Sequence, residues 1–583
     1  MARATYLAPG VYVEEVPSAQ QLIAGVGTNT VGFIGIVDDE ITCPEPNPHY
    51  DPVLAELALK VAAIVGEGKE AASKEAIATI DTEIKAREAE IDTLNKDIAG
   101  WQKKLDEVAP EVAKLETDIG ALEGREDADK TDLSNKRRES LRRRREIDVL
   151  SGKISQGKED LVSKQETIDG LNASKEGKAA ASDGATTSAL RPYVLKKVKV
   201  MADPCDTKLC TNFSEYTSRF GSFSAYKDKP EEPHDPDNPS KWKYKPMHWG
   251  HSALTHAVYG FFKNGGTRCF VARLGPNYSP GDIQRAQTAF ESIDEIAIIA
   301  APGVEAKPEV WDMLVSHCER CEDRFAILDC QEEVEDADGF LDVERLTYTS
   351  HESVLPSRNK NAAFYFPYIE VLDPAKQLQD RDPARRVDLK YRGRAYVPPS
   401  GHIAGIYART DEQRGVHKAP ANTTVLGALE VKYYISKPKQ ELLNPQGVNC
   451  IRLLNGNVTV WGARTVGGDA NGEWKYINVR RLFLFVAESI NDGTQWVVFE
   501  PNDPALWGKI KRNVSDFLTN VWRNGALFGL TPQEAFYVKC DEETNPPEER
   551  ELGKVVTEIG IAIVRPAEFV IFRLMQTVGK TSG

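Results

Sequence analysis

Residues able to do chemistry occur in several small groups along this 583-residue chain. Cys318-Glu-Arg-Cys321 has the spacing of a zinc knuckle, with His317 beside it and Cys330 beyond. Structural zinc takes four ligands in a tetrahedron. Val310, Met313, Leu314, Cys318 and Cys321, however, share one helical face, so the thiols read as part of a buried apolar stripe. Cys205 and Cys210 lack a paired knuckle. His248, His251 and His256 make no His-Glu-x-x-His motif, and His251 and His256, five apart, sit off a common face. No Gly-x-x-x-x-Gly-Lys-Ser/Thr phosphate loop occurs, and Gly25-Val26-Gly27 reads as a turn before a strand. His402 and His417 flank Asp411 in 400–420, a stretch dense in Gly and charge that reads as a loop. Catalysis there would need a nucleophile and a base held together, and the spacing supplies neither. The expectation is a protein that is not an enzyme, with no catalytic, cofactor-binding or metal-binding residues.

Composition sets the frame. The length suits several domains. Nine scattered cysteines do not form a disulfide framework. A net charge of -15 argues against nucleic-acid binding as a main role. There is no run of eighteen apolar residues, and Met1 to Gly10 lacks an apolar signal core, so synthesis and assembly are expected in the cytoplasm.

The best-marked element lies in Glu500–Gly529. Asp503 suits an N-cap, Pro504 the first helical position and Gly525 the stop. Leu506, Trp507, Ile510, Val514, Phe517, Leu518, Val521 and Trp522 fall on one arc. Lys509, Arg512, Asp516, Asn520 and Arg523 fall on the other, giving it a basic balance. Pattern alone favours a solvated surface helix. In so acidic a protein, a basic face also suits an acidic neighbour.

Residues 52–178 differ in character. Ile84, Ile91, Leu94, Ile98, Trp101, Leu105, Val108, Val112, Leu115, Ile119 and Leu122 alternate spacings of four and three, with Arg87 as a polar exception. A weaker series runs through Ile147, Leu150, Ile154, Leu161, Ile168 and Leu171, after the basic cluster Arg142–Arg145. Two heptad arms around a polar break at 124–131 predict an antiparallel coiled-coil hairpin, with a kink at Pro110. The first arm should reach about 60 Å at 1.5 Å per residue. Residues 177–188 read as a flexible linker. Elsewhere helices and strands alternate, which implies an α/β domain. Thr30–Val37 and Arg324–Asp329 read as buried strands, and His251–Phe262 and Val310–Cys321 as helices.

Several ordered blocks carry a resemblance. They include Leu7-Ala8-Pro9-Gly10-Val11-Tyr12-Val13-Glu14-Glu15, Asn264-Gly265-Gly266 before a strand, and Ala362–Ile369 with Leu372-Asp373-Pro374. Val397–Ala408, Arg480–Ile490 and Trp496–Asn502 continue the series. Over most of 5–40 and 210–579 the chain resembles contractile tail sheath proteins, which build the sleeve of phage tails, pyocin-like particles and extracellular contractile injection systems. The charged 227–245 and 375–395 segments match poorly. The resemblance implies an α/β multidomain sheath protein with a discontinuous core domain built from N- and C-terminal segments. Its parts would be an arm and first core strand in 1–40, the inserted hairpin in 52–178, a middle α/β domain in 190–397 and a C-terminal core in 398–583. The basic helix face (Lys509, Arg512, Asp516, Asn520, Arg523) would grip an inner tube. Val11, Tyr12, Val13, Glu14, Glu15 and Val16 would add as a strand to a neighbouring subunit's sheet. Phe569, Val570, Ile571, Phe572, Arg573 and Leu574, after Pro566, would form a second exchanged strand.

Partners implied are other sheath subunits, the tube, baseplate and terminal cap proteins, with no direct nucleic-acid contact and only indirect contact with a target membrane. The particle would assemble in the bacterial cytoplasm, as a phage tail or as an injection particle released outside the cell. Such a sleeve, lacking a nucleotide motif, would hold its energy in a metastable assembled packing. The hairpin is foreign to common sheath proteins and is expected to project from the outer surface, leaving the inner surface to the tube. Two other classes remain open on composition alone: an α/β enzyme with a coiled-coil adaptor, and a coiled-coil scaffold or adhesin.

Overall fold

The computed structural model describes residues 23–66, 70–123, 130–177, 189–230, 244–385, 387 and 390–571. The expected arm Val11, Tyr12, Val13, Glu14, Glu15 and Val16 lies outside them, as do Phe572, Arg573 and Leu574. Among the described residues no helix is long and apolar enough to cross a membrane.

Short apolar runs between turns become the strands of one nine-stranded sheet. In spatial order these are Thr423–Thr424, Asn457–Val460, Val448–Leu454, Ala362–Phe366, Phe325–Asp329, Ile298–Ala300, Val31–Ile36, Cys269–Leu274 and Thr207–Cys210. From Val448–Leu454 to Cys269–Leu274 every pairing is parallel, and antiparallel strands close both edges. Parallel strands are covered on both faces, so they read as continuous apolar runs. Val31 and Phe33 point to one layer, with Leu254, Phe261, Ile403 and Tyr407. Ile34 points to the other, with Phe290, Trp311 and Leu314. The expected strands at 30–37 and 324–329 and helices at 251–262 and 310–321 are present as Val31–Ile36, Phe325–Asp329, Trp249–Lys263 and Pro308–Cys321.

One expectation is corrected. Residues 400–414 are a buried helix, Ser400–Arg414, and not a loop. Its glycines serve close packing: a Cβ at Gly401 would lie 2.2 Å from the Ala257 carbonyl oxygen, and one at Gly405 2.5 Å from that of Phe261. Helix Trp249–Lys263 can approach only because these side chains are missing. Within the sheet, Val448–Leu454 hydrogen-bonds to Ala362–Phe366, and Val31–Ile36 sits between Cys269–Leu274 and Ile298–Ala300.

The insertion is bracketed by an antiparallel ribbon, Glu40–Pro46 against Tyr193–Lys199. Its two ends are stitched together by Asn47 N–H to Pro192 O (3.0 Å) and Asp51 N–H to Ala189 O (2.8 Å). Three helices follow: Pro52–Gly66, Glu70–Glu123 and Lys130–Lys175. At 54 residues the second reaches about 80 Å at 1.5 Å per residue, longer than its heptads alone predicted. It continues through Pro110. Ion pairs Lys175–Asp81 (2.8 Å), Arg143–Glu111 (3.3 Å), Arg144–Glu116 (2.6 Å) and Arg137–Glu123 (2.6 Å) join the two long helices in antiparallel order. Each apolar heptad position from Ile84 to Leu122 is buried or half-buried. Leu54, Ala58, Val61, Ile80, Ile84, Ile168 and Leu171 form a cluster at the base.

A separate C-terminal cluster gathers Leu482, Val486, Leu506, Ile510, Val514, Leu518 and Val521, with Ile23 from the other end of the chain.

Candidate functional site

Helix Pro504–Arg523 forms as its sequence demands. The Asp503 carboxylate accepts the Leu506 N–H at 2.8 Å, Pro504 follows, and Gly525 takes φ +78° beyond the end. Its apolar arc is buried from Leu506 to Val521, with Trp522 half-buried and donating its indole N–H to Gly529 O at 2.9 Å. Lys509, Arg512, Asp516, Asn520 and Arg523 are exposed. Lys511 is exposed too, at the edge of the apolar arc, and adds a cation that sequence reading missed. None of these four cations forms an ion pair among the described residues. The ends of the helix are flanked by apolar side chains open to solvent: Phe499 is fully exposed with φ +68°, and Phe528 and Leu530 are exposed as well. A bulky residue in the left-handed region is strained.

The preceding helix, Ile477–Gly493, holds the roots of both chain ends. On the N-terminal side, Arg481 makes two bonds to the buried Asp411 carboxylate, at 2.7 and 3.0 Å, and donates to Thr28 O at 2.9 Å. Thr28 Oγ1 also donates to Asp411 (2.7 Å), and Val26 N–H donates to Ser489 Oγ (3.1 Å). Residues 23–30 are thereby fastened to this helix just downstream of the expected arm. On the C-terminal side, Asn478 Nδ2 donates to Val564 O at 3.3 Å. The carboxylate of Glu568 then receives four hydrogen bonds: Arg464 Nε and Nη2 (both 2.9 Å), Asn444 Nδ2 (2.7 Å) and Tyr476 OH (2.8 Å). Burial raises the Glu568 pKa, but the bonds from Arg464, Asn444 and Tyr476 outweigh it and hold the carboxyl below its ordinary range.

Directly after this clamp the chain is bare. Phe569, Val570 and Ile571 are 70%, 70% and 79% exposed and belong to no strand among the described residues. The strand before them, Glu558–Ile561, pairs with Phe536–Lys539 in the same subunit.

The other candidate groups resolve into structural contacts. Glu291, His317 and Cys321 place ligand atoms within 4.8 Å of one another. Arg320 already holds Glu291 at 2.9 Å, and Arg324 Nη1 lies 3.3 Å from His317 Nε2. Burial, with Arg324 adding to it, pushes His317 down to about 4. Two guanidinium groups oppose a cation there. Cys205 lies against Asp282, and Cys210 pairs with Cys269 across the sheet edge. His256 bonds the buried Asp373 carboxylate at 2.9 Å, whereas His251 donates its Nε2–H to Phe220 O at 2.9 Å within the core.

Comparison with known proteins places these features. Residues 277–466 match the phage tail sheath protein central domain, and residues 469–577 match the phage tail sheath C-terminal domain. The tail sheath protein of Vibrio phage KVP40 is 26% identical over 193 residues, 32% of this chain and 28% of that protein. The tail sheath protein of Salmonella phage ViI is 23% identical over 251 residues, 42% of this chain and 37% of that one. The chain thus spans about a third of the length of these curated relatives. Among solved structures, the anti-feeding prophage baseplate chain matches with a TM-score of 0.49 at 26% identity, over 64% of this chain and 88% of that one. The sheath complex of the PVC extracellular contractile injection system, in its contracted state, gives 0.49 at 24%, over 65% and 88%. With the two adjoining domain matches together taking in just over half of its residues, the chain belongs to the phage tail sheath family.

Proposed function

We propose that the chain is the structural subunit of a contractile sheath, which polymerises around an inner tube and contracts from a metastable extended state to drive the tube through a target envelope. The observation that carries this reading is the bare apolar run Phe569–Ile571, held at its root by the Glu568 clamp and in no strand among the described residues. Such a run gains stability by adding to a sheet edge on another copy, where main-chain bonds supply affinity. The arm would continue through Phe572, Arg573 and Leu574, and Val11–Val16 would serve likewise at the other end.

A sleeve that contracts needs links that survive a large rigid-body rotation and contacts that let go. Exchanged strands meet the first need, because an arm can hinge at its root while its sheet bonds persist. The basic face of Lys509, Arg512 and Arg523, with Asp516 and Asn520, meets the second. Exposed ion pairs are worth about 0–1 kcal/mol each, so they release singly and add up over many subunits. Lys511 extends that face. The proposed partners are other copies of the chain, the tube, and baseplate and cap proteins. In this reading nucleic acid is not touched directly, the membrane is met only indirectly, and assembly takes place in the bacterial cytoplasm. The proposed core is discontinuous, with residues 23–30 completing the C-terminal cluster. Glu70–Glu123 and Lys130–Lys175 form a coiled-coil hairpin on the outside of the sleeve.

Electron microscopy of the full chain produced with its tube protein tests this. Long hollow helical sleeves are expected. Compact monomers or small oligomers under the same conditions would overturn the reading and favour an α/β enzyme or a coiled-coil scaffold.

A further inference from the structure

Between helices Ile477–Gly493 and Pro504–Arg523 the chain makes a tight turn with a phenylalanine at its tip. Val498 has φ -65° and ψ 128°, Phe499 has φ +68°, and Glu500 N–H donates to Val497 O at 3.1 Å. These are the marks of a type II turn, whose third residue takes positive φ and is ordinarily Gly or Asn. A phenylalanine there is strained, and this one is fully exposed, so packing within its own subunit does not offset the strain. Strain of this kind persists only where the surroundings over-determine it. Here they do. Val497 N–H donates to Thr494 O (2.9 Å) and Val498 N–H to Gln495 O (3.2 Å) on the way into the turn. Trp496 and Val497 pack on the C-terminal cluster. On the way out, Asn502 Oδ1 accepts the Trp507 indole N–H (2.8 Å), and Asn502 Nδ2 donates to Lys554 O (2.8 Å). The ring therefore stands on a rigid support in open solvent. A side chain presented in this way loses little freedom on docking, the condition under which one aromatic anchor dominates an interface.

The turn adjoins the basic helix. Asp503, its cap, comes four residues after Phe499, so at most about 14 Å of chain separates the two. Over 500–523 the exposed charges are Lys509, Lys511, Arg512 and Arg523 against Glu500, Asp503 and Asp516. Glu500 and Asp503 sit at the start of the helix, and the cations follow along it. A partner surface that meets Lys509 and Arg512 thus comes within reach of Phe499. We infer that Phe499 is the apolar anchor of the tube contact: its ring seats in an apolar pocket of the tube protein, beside the carboxylates that meet Lys509 and Arg512. This rests on the sheath reading above. Val498, 63% exposed, widens the anchor. Burying one phenylalanine side chain corresponds to roughly tenfold to a hundredfold in affinity per subunit. Exposed cations alone are satisfied at many positions on an acidic surface, whereas a seated ring fixes one, so the anchor sets the register of sheath on tube.

Phe499→Asn keeps the turn, relieves its strain and removes the ring. The full chain carrying it, produced with its tube protein and counted by electron microscopy, should sheathe about tenfold fewer tubes than the unsubstituted chain at equal concentration. The urea midpoint of the unassembled variant should stay level or rise, since a strained residue has been replaced by one that tolerates positive φ. Phe499→Tyr, which keeps a ring, should recover sheathing to within about threefold. A photoreactive p-benzoylphenylalanine in place of Phe499, irradiated in extended sleeves, should cross-link to the tube protein. Normal sheathing by Phe499→Asn would overturn the inference and leave the sheath reading standing. A lowered urea midpoint would also overturn it, because Phe499 would then stabilise its own fold. Cross-links to other copies of this chain alone would assign the ring to a sheath–sheath contact and refute insertion into the tube. Absence of sleeves for the unsubstituted protein would overturn both readings.

Discussion

Replacing Glu568 by Gln probes the root of the C-terminal arm with almost no change of shape. The carboxylate accepts from Arg464 Nε and Asn444 on one oxygen and from Arg464 Nη2 and Tyr476 on the other. An amide offers one oxygen and one NH2 group. Turned one way, its NH2 faces two obligate donors, Arg464 Nε and Asn444; turned the other, it faces Arg464 Nη2 and the Tyr476 hydroxyl, which can rotate to accept, and either way the charge is gone. Charge-assisted hydrogen bonds contribute about 1.5–3 kcal/mol each. The Glu568 side chain is 20% exposed, so water offsets part of the loss. A net weakening of the clamp by about 3 kcal/mol follows, which is roughly 150-fold in the anchored population. Arg464 itself keeps Asp469 (3.0 Å) and the Asn444 carbonyl (3.0 Å), so no buried cation is orphaned and the subunit core is untouched.

The arm must therefore be ordered at the moment of docking, and the concentration needed for assembly rises by up to that factor. Sedimentation of sleeves across a subunit titration reads the threshold, and urea unfolding of the unassembled subunit reads its stability. A threshold at least tenfold higher with unfolding changed by under about 1 kcal/mol is expected. Assembly of Glu568→Gln at the unsubstituted threshold would refute the clamp. Equal losses in both assays would make Glu568 a general stabiliser. The depressed pKa adds a pH signature. The Glu568 contribution is complete above the ordinary carboxylate range and lost as pH falls through its lowered value, so the unsubstituted threshold should climb in acid while that of Glu568→Gln stays flat.

Reversing Lys509, Arg512 and Arg523 to Glu should impair tube-templated assembly while leaving unfolding within about 0.5 kcal/mol, because all three are exposed; normal extended particles from this triple variant would sink the tube-grip assignment. Gly405→Ala should destabilise the subunit by about 1–3 kcal/mol or more, since the new Cβ would lie 2.5 Å from a backbone oxygen that cannot swing away, and denaturant titration checks it. His251 and His402 are buried neutral, pushed down to about 3 chiefly by burial. A lowered histidine pKa gives stability that is complete above about 6.5 and lost on acidification, so each should remove about 2 kcal/mol between pH 8 and 5, and His402→Asn should flatten that slope in urea titrations across pH. Replacing residues 50–189 by a short Gly/Ser link should leave the remainder folded, because the ribbon already brings the cut ends together; loss of cooperative unfolding would contradict this.

What the sequence disclosed divides by the range of the contacts involved. Asp503, Pro504 and Gly525 mark a helix through bonds that span a few residues, and each behaves as local chemistry dictates. The heptads from Ile84 to Leu122 are legible on the same local basis, since one helix's periodicity decides which side chains share a face. Gly401 and Gly405 misled because a glycine that permits a turn and one that permits a close crossing look alike in one dimension. Only the carbonyls of Ala257 and Phe261, some 144 residues away, separate the two cases. Glu40–Pro46 and Tyr193–Lys199 escaped notice because each strand is short, charged and partnered across the whole insertion. Lys511 and Phe499 were missed by pattern, the first lying at the edge of an apolar arc and the second in a backbone conformation that no propensity favours for a phenylalanine.

The arm roots lie furthest beyond the reach of pattern. Val26 to Ser489 spans 463 residues and Thr28 to Arg481 spans 453, while Glu568 is held from 92 to 124 residues away. Nothing periodic links such positions. Helix Ile477–Gly493 nevertheless gathers the segments around Val26–Thr28 and Val564, through Arg481 and Ser489 on one side and Asn478 on the other, with Tyr476 at its cap. In the proposed sleeve, force along the N-terminal arm would enter at this helix, and force along the C-terminal arm would enter through Asn478 together with the Arg464 and Asn444 side of the Glu568 clamp. The next helix in the chain carries the basic face, packed against it through Leu482, Val486, Ile510 and Val514. In that proposed sleeve the roots of the arms and the basic face share one small apolar cluster, so a rotation imposed by a neighbour's strand would move the basic face with it.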